Sequence, residues 1–503
     1  MANSQYTARY LAIDITTTEM ALAVRDDAGH EDFARLAMRG ATHWRNSPEY
    51  PGFLLDEIPV MISELLAELV NQGWSFHRSA HDPGYLSVAC RQHDQVVLDK
   101  ADRPLLPALM WKCNAAVKEV AQLQDGGAEA TVGPLAPRFV LPKLKHVLAV
   151  APELKGQVQR VMLTGDWVAL CLTGKARLAK SDALSNGLLD QKTRQLAVEA
   201  MEIAGLAPEW FPEPAQSGAA IGEVLPARSS DDPWRTIKEQ LAGWIFAAGL
   251  GDNHASAVGC GMTDDYRRIV VSAGTSGTIN WSCDKATRTT PSPDTYRFEF
   301  YEQSSLLLKM LADCGAWYSR YFHEYAADFA KRLGDLNRQM LDVELGNIRR
   351  VLHDDGKHFE TFPPGWSELS LGAKTACTQF SIALELLLRV EQLIAEASPH
   401  GGYQVDTYVL TGGLSQSTLF QQFFAAGVHI LAPQARVAVS GRTGPLRFKT
   451  SAYGALVNAE LARVHSLAAI FGDTARFPLL DCAAFDPLRG ATAEYLLRAA
   501  GLG

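Results

Sequence analysis

Two stretches of this chain repeat one pattern: an apolar strand, a turn rich in hydroxyl side chains, then a second apolar strand. The first is YLAIDITTTEMALAVR, residues 10–25, and the second runs from Val270 to Trp281 around SAGTSGT. At 503 residues the chain is too long for one core. A duplicated fold is the economical explanation, with domains at residues 1–261 and 262–503 and a cleft between them. The segments between the hairpins alternate. Apolar positions at helical spacing between Glu57 and Val70 precede a buried strand at Leu86–Cys90, the βα order of an α/β protein with a covered sheet. Further helices are expected at 115–124, 142–150, 161–174, 304–350 with breaks, 373–397 and 444–464, with a Gly-bounded hairpin at 181–190.

Chemistry concentrates between Ala248 and Thr278. Asp252 stands beside Gly251 ahead of a small-residue helix, where backbone can approach a ligand. The turn from Ser272 to Thr278 is rich in N–H and hydroxyl donors, and its glycines permit the positive φ angles that aim successive N–H groups at an anion. A carboxylate beside an anion nest points to phosphoryl transfer, with Asp252 taking a proton from a substrate hydroxyl. Each piece alone also reads as a plain helix start and tight turn.

Other candidates sit at strand ends. Asp14, before Thr16, Thr17 and Thr18, can order a hydrated Mg²⁺ or serve only as hairpin chemistry. Arg91, Gln92, His93 and Asp94 follow a strand, as the lining of a polyol pocket or as a solvated loop. Trp111 walls that pocket or belongs to the core. Asp166 and Asp182 are two further polar points. The strand Tyr408–Leu410 opens into a glycine turn and a helix capped by Ser415 or Ser417, a second place to lay a nucleotide.

Composition removes several classes. A formal charge of -9 argues against bulk affinity for nucleic acid or anionic membrane. The eight cysteines are scattered without a CxxC pair, as in a reduced compartment rather than a disulfide framework or zinc site. No basic-then-apolar leader and no apolar run of about 18 residues is present, so a cytoplasmic protein is expected.

The order of these motifs resembles the FGGY carbohydrate kinases of the sugar kinase/actin/Hsp70 superfamily, most closely the xylulokinases, from Tyr10 to Val464. DITTT matches the first phosphate motif, QHD lies over a sugar-contacting segment, and LTGDWVALCLTG with SDALSNGLLD is similar to a paired signature. GLGDNHASAVG matches the segment that carries the general base, SAGTSGT the second phosphate motif, and LTGGLSQS the adenosine motif. The resemblance implies two ribonuclease-H-like domains of the actin-like ATPase type with the active site in the interdomain cleft. It implies ATP with Mg²⁺, and γ-phosphate transfer to a hydroxyl of a ketose such as D-xylulose. Asp252 is then the base and Asp14 the metal residue. Gln92, His93, Asp94, Trp111, Asp252 and Asn253 bind the sugar. Thr16, Thr17, Thr18, Gly274, Thr275, Ser276, Gly277, Thr278, Gly412, Gly413 and Ser417 hold the nucleotide. Partners are a sugar or polyol and ATP, without nucleic acid or membrane, with a homodimer as the candidate assembly.

Five residues depart from the family pattern. Thr16 replaces a glycine, Ala21 a Lys or Arg, Cys113 and Ala115 an Asp and an Arg, and Lys449 an acidic residue. A strained left-handed Thr16 costs about 1–2 kcal/mol, with its N–H and hydroxyl left for phosphate. These departures keep two alternatives open: another ketose or polyol such as ribulose or glycerol as acceptor, or a kinase-like protein that binds sugar or nucleotide and transfers nothing.

Overall fold

The structure, a computed structural model, describes residues 5–79, 81–274, 276–285, 292, 294–301, 304–312, 314–316, 338–352, 365–397, 404–440, 449–471 and 479–503. In chain order its main elements begin with strands β1 (Tyr6–Ile15), β2 (Glu19–Asp26) and β3 (Glu31–Ala37), helix α1 (Glu57–Asn71), strand β4 (Tyr85–Cys90) and helix α2 (Val140–Val150). Strands β5 (Ala220–Glu223), β6 (Ile245–Ala247) and β7 (Leu250–Gly251) lead into helix α3 (Asp252–Gly259). Then come β8 (Arg268–Ala273), β9 (Gly277–Asp284), β10 (Ser304–Leu311), α4 (Leu371–Ala397), β11 (Thr407–Thr411), α5 (Thr418–Leu431), β12 (Arg436–Ser440), α6 (Thr450–Val464) and β13 (Leu479–Asp481).

The chain forms two compact units: residues 1–261 with 297–304 and 443–477, and residues 262–296 with 305–442 and 478–503. The first holds a sheet with the order β5-β6-β4-β1-β2-β3, to which β7 adds against β4. From Ala8 to Ile15 every residue of β1 is buried, with Tyr10–Ile13 as its apolar run, as in a strand covered on both faces. Helix α1 buries Ile58, Met61, Ile62, Leu65, Leu66 and Leu69, one face at the helical period. Helix α6 joins this unit although it lies late in the chain, because its small residues let it approach α3 closely. A Cβ on Gly454 would overlap the Ala255 carbonyl, and one on Gly259 the Thr450 carbonyl. Asn458 of α6 donates to Ser87 Oγ at 2.8 Å and to the Ala248 carbonyl at 2.7 Å, both in the buried interior. A single cut at 261/262 therefore does not describe the units.

The second unit has a sheet that includes, in order, β10-β9-β8-β11-β12-β13. Helix α4 packs with α5 on a core containing Trp281, Phe380, Leu386, Leu410, Phe420 and Phe424. Its centre repeats the first unit's topology: β8 pairs antiparallel with β9 and parallel with β11, as β1 does with β2 and β4.

Two expected elements differ. Residues 304–311 form a strand rather than the start of a helix; SSLLLKML has no helical period and is buried along nearly its whole length. Within 181–190, residues Lys180–Ser185 form a short helix rather than a hairpin arm, and Leu189 bridges to Leu196 instead. Residues 317–337 and 444–448 lie outside the described residues. All eight cysteines lack disulfide links, and among the described residues no helix is long and apolar enough to cross a membrane.

Candidate active site

Three parallel strands of the first unit end side by side. In β1 Asp14 pairs with Ala89 and Ile15 with Cys90 of β4, while in β7 Leu250 pairs with Ala89 and Gly251 with Cys90. Asp14, the Arg91–Asp94 segment and Asp252 thus leave adjacent strands at one edge, the carboxyl end where α/β sheets hold ligands. Gly251 is required there, since a Cβ would meet Asp182 Oδ1 and the Gln92 side chain at 2.5 and 3.0 Å.

Asp252 opens α3, and its Oδ1 accepts the Asn253 N–H at 2.8 Å. Desolvation raises its carboxyl to about 6. The Asn253 N–H and Arg91 oppose that rise, and Asp94 adds to it. Asp14 is buried, and desolvation with repulsion from Asp252 raises it to about 7 against the Ser451 hydrogen bond and Lys449. Ser451 Oγ donates to Asp14 Oδ2 at 2.6 Å, whereas Oδ1 is buried with no hydrogen-bond partner among the described residues. That oxygen fits a hydrated Mg²⁺, which takes one or two carboxylates and keeps several waters.

The turn at Thr16–Thr18 is closed on itself. Thr16 has no positive φ, so the expected backbone strain is absent. Its N–H and Oγ1 both donate to the Glu19 carbonyl, at 3.0 and 2.9 Å, so neither is left over as a donor. Thr17 Oγ1 accepts the Trp111 indole N–H at 3.0 Å, which ties Trp111 to the turn, and Thr18 is exposed. Lys449 pairs with Glu19 and acts on Asp14. It brings to the hairpin the cation that Ala21, opposite Asp14 in β2, does not provide.

Arg91 and Asp94 are buried partners at 2.5 Å, and Arg91 also donates to the Thr16 carbonyl at 2.9 Å over the face of Phe53. Asp94 therefore braces Arg91 instead of standing open. Gln92 Nε2 lies 3.1 Å from His254 Nδ1. The His93 ring stacks on Phe139, and its carbonyl accepts the buried Lys143 ammonium at 2.6 Å. Lys143 also donates to the Leu109 carbonyl at 3.2 Å. Desolvation lowers it to about 8, with Cys113 and Asp94 opposing.

Lys143, Asn186 and Ser451 complete this edge and were not singled out from the sequence. Only Asn186 carried a signal, as an Asn-Gly pair inside the paired signature. Asp166 and Asp182 are buried behind the edge, where desolvation raises both, Asp166 to about 7.

In the second unit the glycine turn after β11 packs on the turn after β8. Gly412 has φ +89°, and a Cβ there would meet the Ala273 carbonyl and Gly274 N at 2.7 and 2.8 Å. Gly274 and Gly277 lack positive φ, contrary to the anion-nest expectation. Gly277 instead begins β9 opposite Ala273 and makes room for Leu386 of α4. Ser276 and Thr278 are partly exposed, Gly413 is exposed, and Thr275 lies outside the described residues. Ser417 occupies the N-cap position of α5 without a side-chain cap, because its hydroxyl donates to Gln379 Oε1 at 2.7 Å. Ser415 Oγ donates to the Gly412 carbonyl at 2.7 Å, closing the turn itself.

Residues 9–259 match the N-terminal domain of the FGGY family of carbohydrate kinases. A xylulose kinase of Escherichia coli (strain K12) is 29% identical over 202 residues, covering 40% of this chain and 40% of that protein. The chain thus spans about two fifths of the length of the curated relatives it matches. Among solved structures, a xyloylose kinase from Brucella ovis superposes with TM-score 0.76 at 20% identity, covering 98% of each chain. A gluconate kinase from Lactobacillus acidophilus gives TM-score 0.80 at 17% identity over 97% of this chain and 96% of that one. The fold is the mixed α/β, two-domain actin-like ATPase fold of these sugar kinases. Through the domain at residues 9–259, the chain belongs to the FGGY family of carbohydrate kinases.

Proposed function

We propose that this protein transfers the γ-phosphate of ATP, with Mg²⁺, to a hydroxyl of a ketose, D-xylulose being the first candidate. The observation that carries the reading is the shared strand edge of Asp14, His93 and Asp252, set by the register of β1, β4 and β7. The 29% identity over 202 residues with a xylulose kinase supports the ketose. In this reading Asp252 accepts the proton of the attacking hydroxyl, a role worth typically about 10²–10⁴-fold in rate. Asp14 holds the metal through its unshared oxygen. When bound, Mg²⁺ neutralises charge on the transferring phosphoryl group. Gln92, His93 and Asn253 bind the sugar, Asp94 acts through Arg91, and Trp111 walls the pocket while bracing Thr17.

Residues 1–261 with α6 form the sugar side, together with the first phosphate turn at Thr16–Thr18. Gly274–Thr278, including Thr275, hold the phosphates. Gly412, Gly413 and the turn before Ser417 line the adenosine site.

The test is ADP release from purified protein with MgATP against a panel of ketoses and polyols, including D-xylulose, ribulose and glycerol. A sugar-dependent rate that falls at least about 100-fold in Asp252→Asn, with an unchanged thermal melt, is expected. The consumed donors of Thr16 favour one competing reading, a protein that binds sugar or nucleotide without transfer. Calorimetric binding with no turnover on any sugar would establish it in place of the kinase.

A further inference from the structure

The surroundings of His93 determine which ring nitrogen carries its proton. Asn186 Nδ2 lies 2.7 Å from the Gln92 carbonyl and 2.7 Å from the Asp182 carbonyl, both acceptors only. Its Oδ1 accepts the Val140 N–H at 3.1 Å. Both ends of the amide demand one orientation, so the Asn186 oxygen, and not its nitrogen, faces His93 Nδ1 at 3.2 Å. An amide oxygen cannot donate, so Nδ1 must carry the hydrogen. In a neutral ring the lone pair is then on Nε2. The ring is fixed in place by the face of Phe139, 4.9 Å between centroids, and by Lys143 on its own carbonyl.

From this geometry we infer that Asn186 is a positioning residue that holds His93 as the Nδ1–H tautomer, so that Nε2 accepts a hydrogen bond from a hydroxyl of the sugar. The inference rests on the kinase reading for its ligand and deepens it. At this subsite the substrate must offer an O–H; a carbonyl oxygen, an ether or a C–H cannot replace it. The charge around the ring keeps it neutral. Arg138, ahead of α2, Lys143 on α2 and His254 on α3 all disfavour an imidazolium, and desolvation is the largest cause. The Asn186 bond opposes them. A hydroxyl held against a buried acceptor discriminates well, because removing it strands that acceptor.

Two measurements on the full chain test this. Long-range ¹H–¹⁵N spectra of histidine-labelled protein, with His93 assigned by its absence in His93→Gln, should show a protonated Nδ1 and a bare Nε2 from pH 8 to pH 6. An Nε2–H tautomer, or an imidazolium in that range, would overturn the inference. In Asn186→Asp an acceptor still faces Nδ1 with a charge added, while the donations to the Gln92 and Asp182 carbonyls are lost; in protein shown to be folded by its melt, His93 should titrate within the range and KM for D-xylulose should become pH-dependent. A merely structural role would lower stability without moving the titration.

Calorimetry with singly deoxygenated D-xylulose analogues should find one position whose loss weakens binding about 10-fold or more. That penalty should vanish in His93→Phe, and a penalty unchanged in His93→Phe would remove His93 from the subsite. The spectrum needs no turnover, so an inactive protein would refute the kinase reading while the tautomer was still decided.

Discussion

A carboxylate that accepts a proton works only while ionised, and both acidic groups at the strand edge are raised, Asp252 to about 6 and Asp14 to about 7. The sugar-dependent kcat/KM should therefore fall on an acid limb near pH 6, where Asp252 takes up its proton, read from a pH–rate profile. A limb confined below pH 5 would show that neither group governs the rate. Asp166 makes a different prediction, about stability. Its folded value of about 7 lies above the ordinary carboxyl value of 3.8, so the folded state binds the extra proton in between. The stability it contributes is complete below pH 3.8 and lost as pH rises through about 7. Asp166→Asn keeps an acceptor for the Ala179 N–H, bonded at 3.0 Å. The variant should gain on wild type between pH 5 and pH 8 by on the order of 1–3 kcal/mol, measured by denaturant titration. Asp14 and His93 were legible because each lies at the end of a strand whose apolar run is visible, and Asp252 because it stands beside Gly251 ahead of a small-residue helix. Asn186, Lys143 and Ser451 were not, since their partners lie 93, 50 and 437 residues away in the chain. No local pattern encodes such contacts.

Among the elements, the α3–α6 pair is held at backbone distance by Gly259 and Gly454. Gly454→Ala inserts a methyl group onto the Ala255 carbonyl, in a helix where alanine is otherwise favourable. The expected result is a loss of about 1–3 kcal/mol in denaturant titration. An unchanged midpoint would mean that the helices can part at little cost. The β1–β2 turn gives the opposite lesson about a glycine. Thr16→Gly restores a family-like residue, yet it removes two hydrogen bonds with Glu19 where no positive φ calls for glycine. Melting should drop, with about 0.5–1 kcal/mol from backbone entropy alone. If the locked turn limits phosphate binding, the KM for ATP should fall as well. The hairpins were readable because each joins two apolar runs across a hydroxyl-rich turn. Residues 304–311 were not, because a short apolar run fits a buried helix or strand equally until its neighbours in the sheet are known.

For the whole molecule, the compact units follow contacts and not the chain midpoint. Residues 443–477 belong with 1–261 because α6 packs on β1, β4 and α3. A fragment ending at Gly261 leaves those surfaces uncovered and the Asp14 carboxylate without Ser451. It should give no cooperative melt by circular dichroism, and a cooperative melt would show that α6 is dispensable. The Ser451–Asp14 hydrogen bond also sets a schedule. A ribosome makes Asp14 well before its partner, which follows 437 residues later. At bacterial or eukaryotic synthesis rates, the wait between completion of α3 and emergence of α6 is roughly 10–40 s. Through that interval the nascent first unit carries an unfinished, partly apolar face, which makes it a client for the chaperones that attend translation.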